Sequence, residues 1–293
     1  MRIAHQEIRE LTNLPPEPEG WAREWHGLFR LVECWGSQSY AKFKQGEKAV
    51  NARGVISERQ FEVDCFLAIM QDIIKSKVIT LELGAGWGEW CMATAGIVRH
   101  KIVPTNLQEY QCVGVEADQH HYDWMLRHFQ ANQVKGVGVR CLIADKEGEA
   151  RFNVDRLPAE NYGQSASFKQ SNYGWGLLNF LRRSTVKVDA FTLDELLRDF
   201  VTPLKGEYAV IAHMDIQGLE YEVLKNSQQY RGIDYFLIGT HRADYNSKIR
   251  HLLEKDYECQ VDLPPNGEWQ VSGIGKVNCG DGVLLLKQRT RKS

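Results

Sequence analysis

The chain has 293 residues, of which 43% are apolar and 25% charged, and its formal net charge is −2. That composition is enough to bury a real core. A near-neutral balance leaves no electrostatic case for nucleic acid as the main partner, and no segment approaches the ~18 consecutive apolar residues of a membrane span. The seven cysteines, Cys34, Cys65, Cys91, Cys112, Cys141, Cys259 and Cys279, are odd in number and form no CxxC pair. They read as reduced core residues of a cytoplasmic protein. The N-terminal MRIAHQEIRELTNLPPEPEG has no apolar stretch after its charges and does not read as a signal peptide.

Residues 1–56 read apart from the rest. PPEPEG at 15–20 is a connector. In the following WAREWHGLFRLVECW, Trp21, Trp25, Leu28, Leu31, Val32 and Trp35 stand at near-helical spacing, which predicts a helix packed on the main domain. Its tryptophans also suit a substrate-facing cap or a homo-oligomer contact. Ser57-x-x-Gln60 fits a capping box and opens a helix running from Glu58 to about Lys75.

From Val78 strands and helices alternate. Strands are predicted at 78–83, 111–116, 137–144, 208–215, 234–240, 257–262 and 283–287, and helices near 90–99, 121–132, 193–200, 219–226 and 247–255. Continuous apolar strands between amphipathic helices predict an α/β fold, with a mostly parallel seven-stranded sheet covered on both faces. The last two strands flank LPPNGEWQVSGIGKVNCGDG without a helix and read as a terminal hairpin that adds an antiparallel strand. Residues 161–183, rich in Gly, Ser, Asn, Tyr and Trp, are long enough for a functional loop or lid.

The stretch VITLELGAGWGEW, 78–90, breaks a strand into Gly84-Ala85-Gly86-Trp87-Gly88 just after Glu82. Ligands of such sheets bind where the strand C-termini open, and glycine lets them approach the main chain. A dinucleotide site prefers G-x-G-x-x-G, whose third glycine would stand where Glu89 does. The G-x-G-x-G spacing and the acidic Glu82 disfavour pyrophosphate and suit a ligand bearing an amino group and a sulfonium. Glu116, ending the second strand beside Ala117, can accept both hydrogen bonds of a ribose diol. Asp145, after the third strand, is placed to touch an adenine amino group. The three in register point to S-adenosylmethionine.

With these blocks in hand, the sequence resembles the FkbM family of S-adenosylmethionine-dependent methyltransferases from about Gly54 to Leu286. The resemblance rests on LELGAGWGEW, VGVEAD, IADKEGEARFNV, the SAS at Ser165–Ser167, VDAFTLDELL, MDIQGLEYEVLKNS and IGTHR. It implies a Rossmann-like methyltransferase acting on a hydroxyl of a sugar, glycan or natural product. Two positions depart from the family pattern: Gln217 stands where glutamate is usual, and His213 where lysine is common.

Methyl transfer needs a nucleophile held in line and relieved of its proton. His241, at the end of the fifth strand, is the candidate general base, and Asp215, at the end of the fourth, would orient it or position the acceptor. His213 shares a strand face with Asp215, and Glu220 would act there or brace the following helix. Trp87 and Trp90 could frame the cofactor, and Tyr162, Ser165 and Ser167 could touch cofactor or acceptor. His213, Asp215 and His241 would also suit a divalent metal, although methylation does not require one. The alternatives are N- or C-methylation, a non-sugar hydroxyl acceptor, or a non-catalytic S-adenosylmethionine-binding protein whose N-terminal region recruits a partner.

Overall fold

The computed structural model describes residues 11, 14–35, 54–155, 159, 166–167, 183–204 and 206–290. A hairpin of β1 (Trp21–Arg23) and β2 (Phe29–Leu31) opens it, followed by β3 (Val55–Ser57) and α1 (Glu58–Asp72). Next come β4 (Lys77–Leu83), α2 (Glu89–His100), β5 (Glu109–Glu116), α3 (Gln119–Ala131), β6 (Gly136–Arg140) and β7 (Leu142–Ile143). Strands β8 (Gly148–Asp155), β9 (Ala166–Ser167) and β10 (Arg183–Phe191) precede α4 (Leu193–Leu196), which widens into a π turn at Leu197–Val201. The chain continues with β11 (Tyr208–Met214), α5 (Glu220–Asn226), β12 (Tyr235–Thr240), α6 (Tyr245–Leu253) and β13 (Tyr257–Leu263). It closes with β14 (Gly267–Val271), β15 (Gly275–Cys279) and β16 (Gly282–Gln288).

The main sheet has the order β13-β16-β12-β11-β4-β5-β6, and β16 alone runs antiparallel to its neighbours. Its central strands are buried on both faces, which is why β4 and β11 read as largely apolar runs. One face carries the core of α1, α2 and α3, and the other that of α4, α5 and α6. All seven expected strands lie in this sheet. The expected cap on α1 also forms, with Ser57 Oγ accepting from the Gln60 amide at 3.3 Å.

The third strand departs from expectation. It stops at Arg140, and Leu142–Ile143 turns off to pair with β10 in a second sheet of order β7-β10-β8-β9. That sheet was not foreseen. Part of it falls in the expected loop at 161–183, where Ala166–Ser167 pairs with β8; Tyr162 and Ser165 lie outside the described residues. The glycine-rich insertion before β16 is ordered too. β14 and β15 form a hairpin in it, and β15 pairs in parallel with β3.

The helix predicted over residues 21–35 does not form. Trp21 pairs with Leu31 and Arg23 with Phe29, around a turn in which Gly27 has φ +85°. The apolar spacing is near-helical, but the backbone groups find partners elsewhere. The Phe29 amide and carbonyl exchange hydrogen bonds with the Asn132 side chain, both at 2.8 Å, and the Leu31 amide donates to His128 Nε2 at 2.9 Å. Leu28, Leu31, Cys34 and Trp35 enter the same core as α1 and α2. The hairpin thus packs into the core of the main domain.

Asn132→Ala should remove both fastenings of Phe29 and leave its buried groups unpaired. A loss of about 1–3 kcal/mol in denaturant unfolding is expected; a change within about 0.5 kcal/mol would mean that the hairpin is held by apolar contact alone.

Candidate active site

The sheet reverses its order of growth between β4 and β11. From β4 it extends through β5 to β6, and from β11 through β12 the other way. Ligands of open α/β sheets bind in the crevice at that point. The residues following β4, β5, β11 and β12 therefore gather at one edge.

The loop after β4 is shaped first by the chain itself. Gly84 has φ +77°, and a Cβ there would overlap the Asp215 carbonyl oxygen. Gly88, at φ +85°, would set a Cβ 2.9 Å from Met125 Cγ. Gly84 and Gly88 are thus bare because strand ends and helices meet there, not only because a ligand approaches. The Gly84 and Ala85 amides both donate to the Val115 carbonyl, at 3.0 and 2.9 Å. Glu116 then joins loop to strand, accepting from the Gly86 amide on Oε2 and from the Asp118 amide on Oε1, each at 2.7 Å. Burial raises its pKa, with His121 and those two amides opposing.

Several expected cofactor contacts change role. Glu82 is buried, and both its oxygens are taken by the first turn of α2, from the Trp90 amide at 3.0 Å and the Cys91 amide at 2.9 Å. It satisfies a helix N-terminus. Burial pushes its pKa up to about 8 against the pull of those amides. The Trp87 ring is buried under Arg30 with His128 against it, so only its main chain is left for a ligand. Trp90 packs on Phe66 and His213. Ala117 lies in the small core beneath the second sheet. Asp145 is exposed just after β7.

On the other side of the crevice His241 and Asp215 come together as expected, with Nε2 3.2 Å from Asp215 Oδ1 at ion-pair distance though not aligned as a hydrogen bond. His241 Nδ1 lies 3.0 Å from Glu220 Oε1. The same Glu220 oxygen accepts from the Ile216 and Gly218 amides at 3.2 and 3.0 Å, so this wholly buried carboxylate braces the turn and grips the histidine. Gln217 holds a left-handed φ of +55° and donates to Asp215 Oδ1 at 3.0 Å.

His241 was expected as a neutral base, and both its ring nitrogens face carboxylates. Burial alone would lower its pKa, but the charges of Asp215 and Glu220 and the Glu220 hydrogen bond outweigh it and push it up to about 10. A pKa raised that far favours the imidazolium at neutral pH. His213 was expected as a further candidate reacting group. It is buried against Trp90 with ring centroids 4.8 Å apart, neither ring nitrogen has a hydrogen-bond partner among the described residues, and burial holds its pKa down to about 4. Among the described residues no group of three His, Cys, Asp or Glu could hold a metal ion.

Two residues of this edge were missed. Asp281, in the turn before β16, has Oδ2 3.8 Å from His241 Nε2. Glu58, the first residue of α1, accepts the Gly280 and Asp281 amides on Oε2 at 2.7 and 3.0 Å. Burial pushes Glu58 up to about 7, with those amides opposing, and burial also raises Asp281. A CGDG turn far along the chain gave no sign that it returns to the N-terminus of α1.

Strand order, the single antiparallel strand and the crevice together define the Rossmann-like fold of the class I methyltransferases. No protein-family model matches the chain, and no curated protein matches it. Among solved structures it overlays on precorrin-6y C5,15-methyltransferase from Geobacter metallireducens at 10% identity and TM-score 0.41, over 84% of this chain and 95% of that one. It overlays on the METTL16 methyltransferase domain at 8% identity and TM-score 0.43, over 92% and 87%. For M. capricolum TrmK in complex with S-adenosyl-homocysteine the values are 8%, 0.35, 76% and 68%.

Glu82→Ala should leave two α2 amides unpaired in a buried setting and destabilise the fold by roughly 2–4 kcal/mol, which thermal unfolding would read directly; an unchanged midpoint would show that water replaces the carboxylate.

The His241 linkage has a definite sign. Its folded pKa lies above the unfolded value, so its contribution is full below about pH 6.5 and lost as pH rises through about 10. The stability advantage of wild type over His241→Gln in urea should therefore shrink steadily across that window. A constant advantage would mean that the ring is already neutral.

Proposed function

We propose that the chain is an S-adenosylmethionine-dependent methyltransferase of the FkbM type, with its acceptor bound over Asp215, His241, Glu220 and Asp281. The observation that carries this reading is Glu116. It stands at the end of β5, and each of its oxygens holds one amide. Since a carboxylate oxygen accepts more than one hydrogen bond, one acceptor position remains on each for a ribose diol. The residues Gly84 to Gly88, with Ala117 and Asp145, would complete the cofactor site. When bound, the cofactor supplies an electrophilic methyl group. The quoted sequence blocks support the family reading because they fall at the crevice: LELGAGWGEW spans β4 to α2, VGVEAD spans β5 to α3, and MDIQGLEYEVLKNS spans β11 to α5.

For a hydroxyl acceptor, of a sugar or another natural product, the proton goes to a carboxylate, because the imidazolium is the favoured form of His241. Asp215 and Asp281 are the nearest oxygens on its Nε2 side, and Glu58 next to them titrates near neutrality. His241 then fixes Asp215 and Glu220 in place rather than acting as the base. A nitrogen acceptor is the second reading. Three carboxylates surround one imidazolium, and that excess of negative charge favours an acceptor that arrives as a cation and releases its proton to a carboxylate.

S-adenosyl-homocysteine should bind with a dissociation constant in the micromolar range, or about −8 kcal/mol, and NAD far more weakly. Glu116→Ala should weaken it at least about tenfold, because charge-assisted hydrogen bonds to the ribose are lost, and should also lower the melting temperature, because the Gly86 and Asp118 amides lose their acceptor. Calorimetry showing NAD the tighter ligand would overturn the reading. Mass spectrometry of products radiolabelled in fractionated extracts would separate oxygen from nitrogen acceptors.

A further inference from the structure

The Arg30 side chain belongs to the hairpin, and its guanidinium lies between a ring of its own segment and a ring of the glycine loop. It is buried, and its guanidinium carbon lies 4.1 Å from the ring centroid of Trp35 and 4.1 Å from that of Trp87. Its Nη1 is 3.3 Å from Oε1 of the equally buried Glu24, and Nη2 donates to the Cys34 carbonyl at 3.2 Å. Its Nε is buried with no hydrogen-bond partner among the described residues. Burying a guanidinium and leaving one donor unmatched is costly, and an apolar side chain would serve the packing of a small hairpin better. The cation makes sense as half of a stack on Trp87.

Two further ties reach the same loop. Leu31 donates to His128 Nε2, so His128 carries its proton on Nδ1, which lies 2.9 Å from the Trp87 carbonyl. Burial holds this ring neutral, with its pKa near 3. Glu24 Oε2 is 3.5 Å from Arg59 Nη2, and Arg59 in turn donates from Nε and Nη2 to Glu89 Oε1 at 2.9 and 2.7 Å. Trp87 and Glu89 flank Gly88, and Trp87 sits between two glycines with left-handed φ, +54° and +85°. The segment's main chain is held by the Gly86 amide on Glu116 and the Gly88 amide on the Ala85 carbonyl, at 2.7 Å each, and its Trp87 ring by these side-chain contacts.

We propose that Arg30 is a positioning residue for the cofactor loop: it clamps Trp87 by stacking, and through it the β1–β2 hairpin sets the loop geometry on which cofactor affinity depends. The binding part of this inference rests on the cofactor reading above; the clamp itself does not.

The test compares full-length wild type with Arg30→Met and Trp87→Leu, singly and together, by amide hydrogen exchange and by calorimetry with S-adenosyl-homocysteine. Arg30→Met should speed exchange of the Gly86–Glu89 amides about tenfold or more and leave α6 unchanged, as local opening of a loop would. It should weaken S-adenosyl-homocysteine about tenfold, and the double variant should bind no worse than Trp87→Leu alone, because the two residues act as one unit. Should Arg30→Met fail to fold, Arg30→Lys keeps the charge but loses the planar stack, and the same two readouts should move about threefold. Unchanged loop exchange and unchanged affinity in a variant that merely melts earlier would overturn the proposal. If wild type itself does not bind S-adenosyl-homocysteine, the functional reading fails, and the exchange measurement still decides the clamp.

Discussion

Where β4 and β11 end, there is no room for a side chain between them. Gly84 lies directly on the Asp215 carbonyl, and the Asp215 amide donates to the Leu83 carbonyl at 2.9 Å. This contact locks the two strands at the point where the sheet reverses its order. The glycine loop turns away on one side of it and the Asp215 carboxylate is presented on the other. The cofactor half and the acceptor half of the crevice thus share one backbone junction, and their spacing is set by main chain, which cannot change rotamer.

On the acceptor side the dominant force is electrostatic. Glu220 is sealed in the fold with its charge directed at two backbone amides and at His241. A carboxylate so buried needs strong partners, and a protonated histidine is one. His241 thereby ties Asp215, Glu220 and Asp281 together through its two ring nitrogens. Asp281 and Glu58 join because β3 and β15 pair above the crevice and bring the N-terminus of α1 to the turn before β16.

On the cofactor side the organising groups come from outside the alternating strands and helices. His128, Arg30 and the Glu24–Arg59–Glu89 chain connect the first hairpin to the loop between β4 and α2. The hairpin is small and would have no stability alone. Packed into the main core, it becomes a rigid wall behind the loop.

Much of this was legible in the chain itself. The seven strands of the main sheet and their flanking helices follow from local patterning, since a strand buried on both faces must be largely apolar and its helices must show one apolar stripe. The loop at Gly84–Gly88 and the acid Glu116 could be placed at strand ends for the same reason, and the pairing of Asp215 with His241 follows from adjacent parallel strands. The tertiary structure alone decided what each charged or aromatic group faces. Glu82 has its oxygens on α2, Trp87 stacks on an arginine more than 50 positions earlier, and two distant carboxylates close on His241. Residues 21–35 carry helical spacing yet form strands, because Asn132 and His128 offer their backbone better partners than a helix would. Periodicity records which face is buried; the partners that set a pKa, hold a ring or override a local preference come from remote parts of the chain, and only folding brings them together.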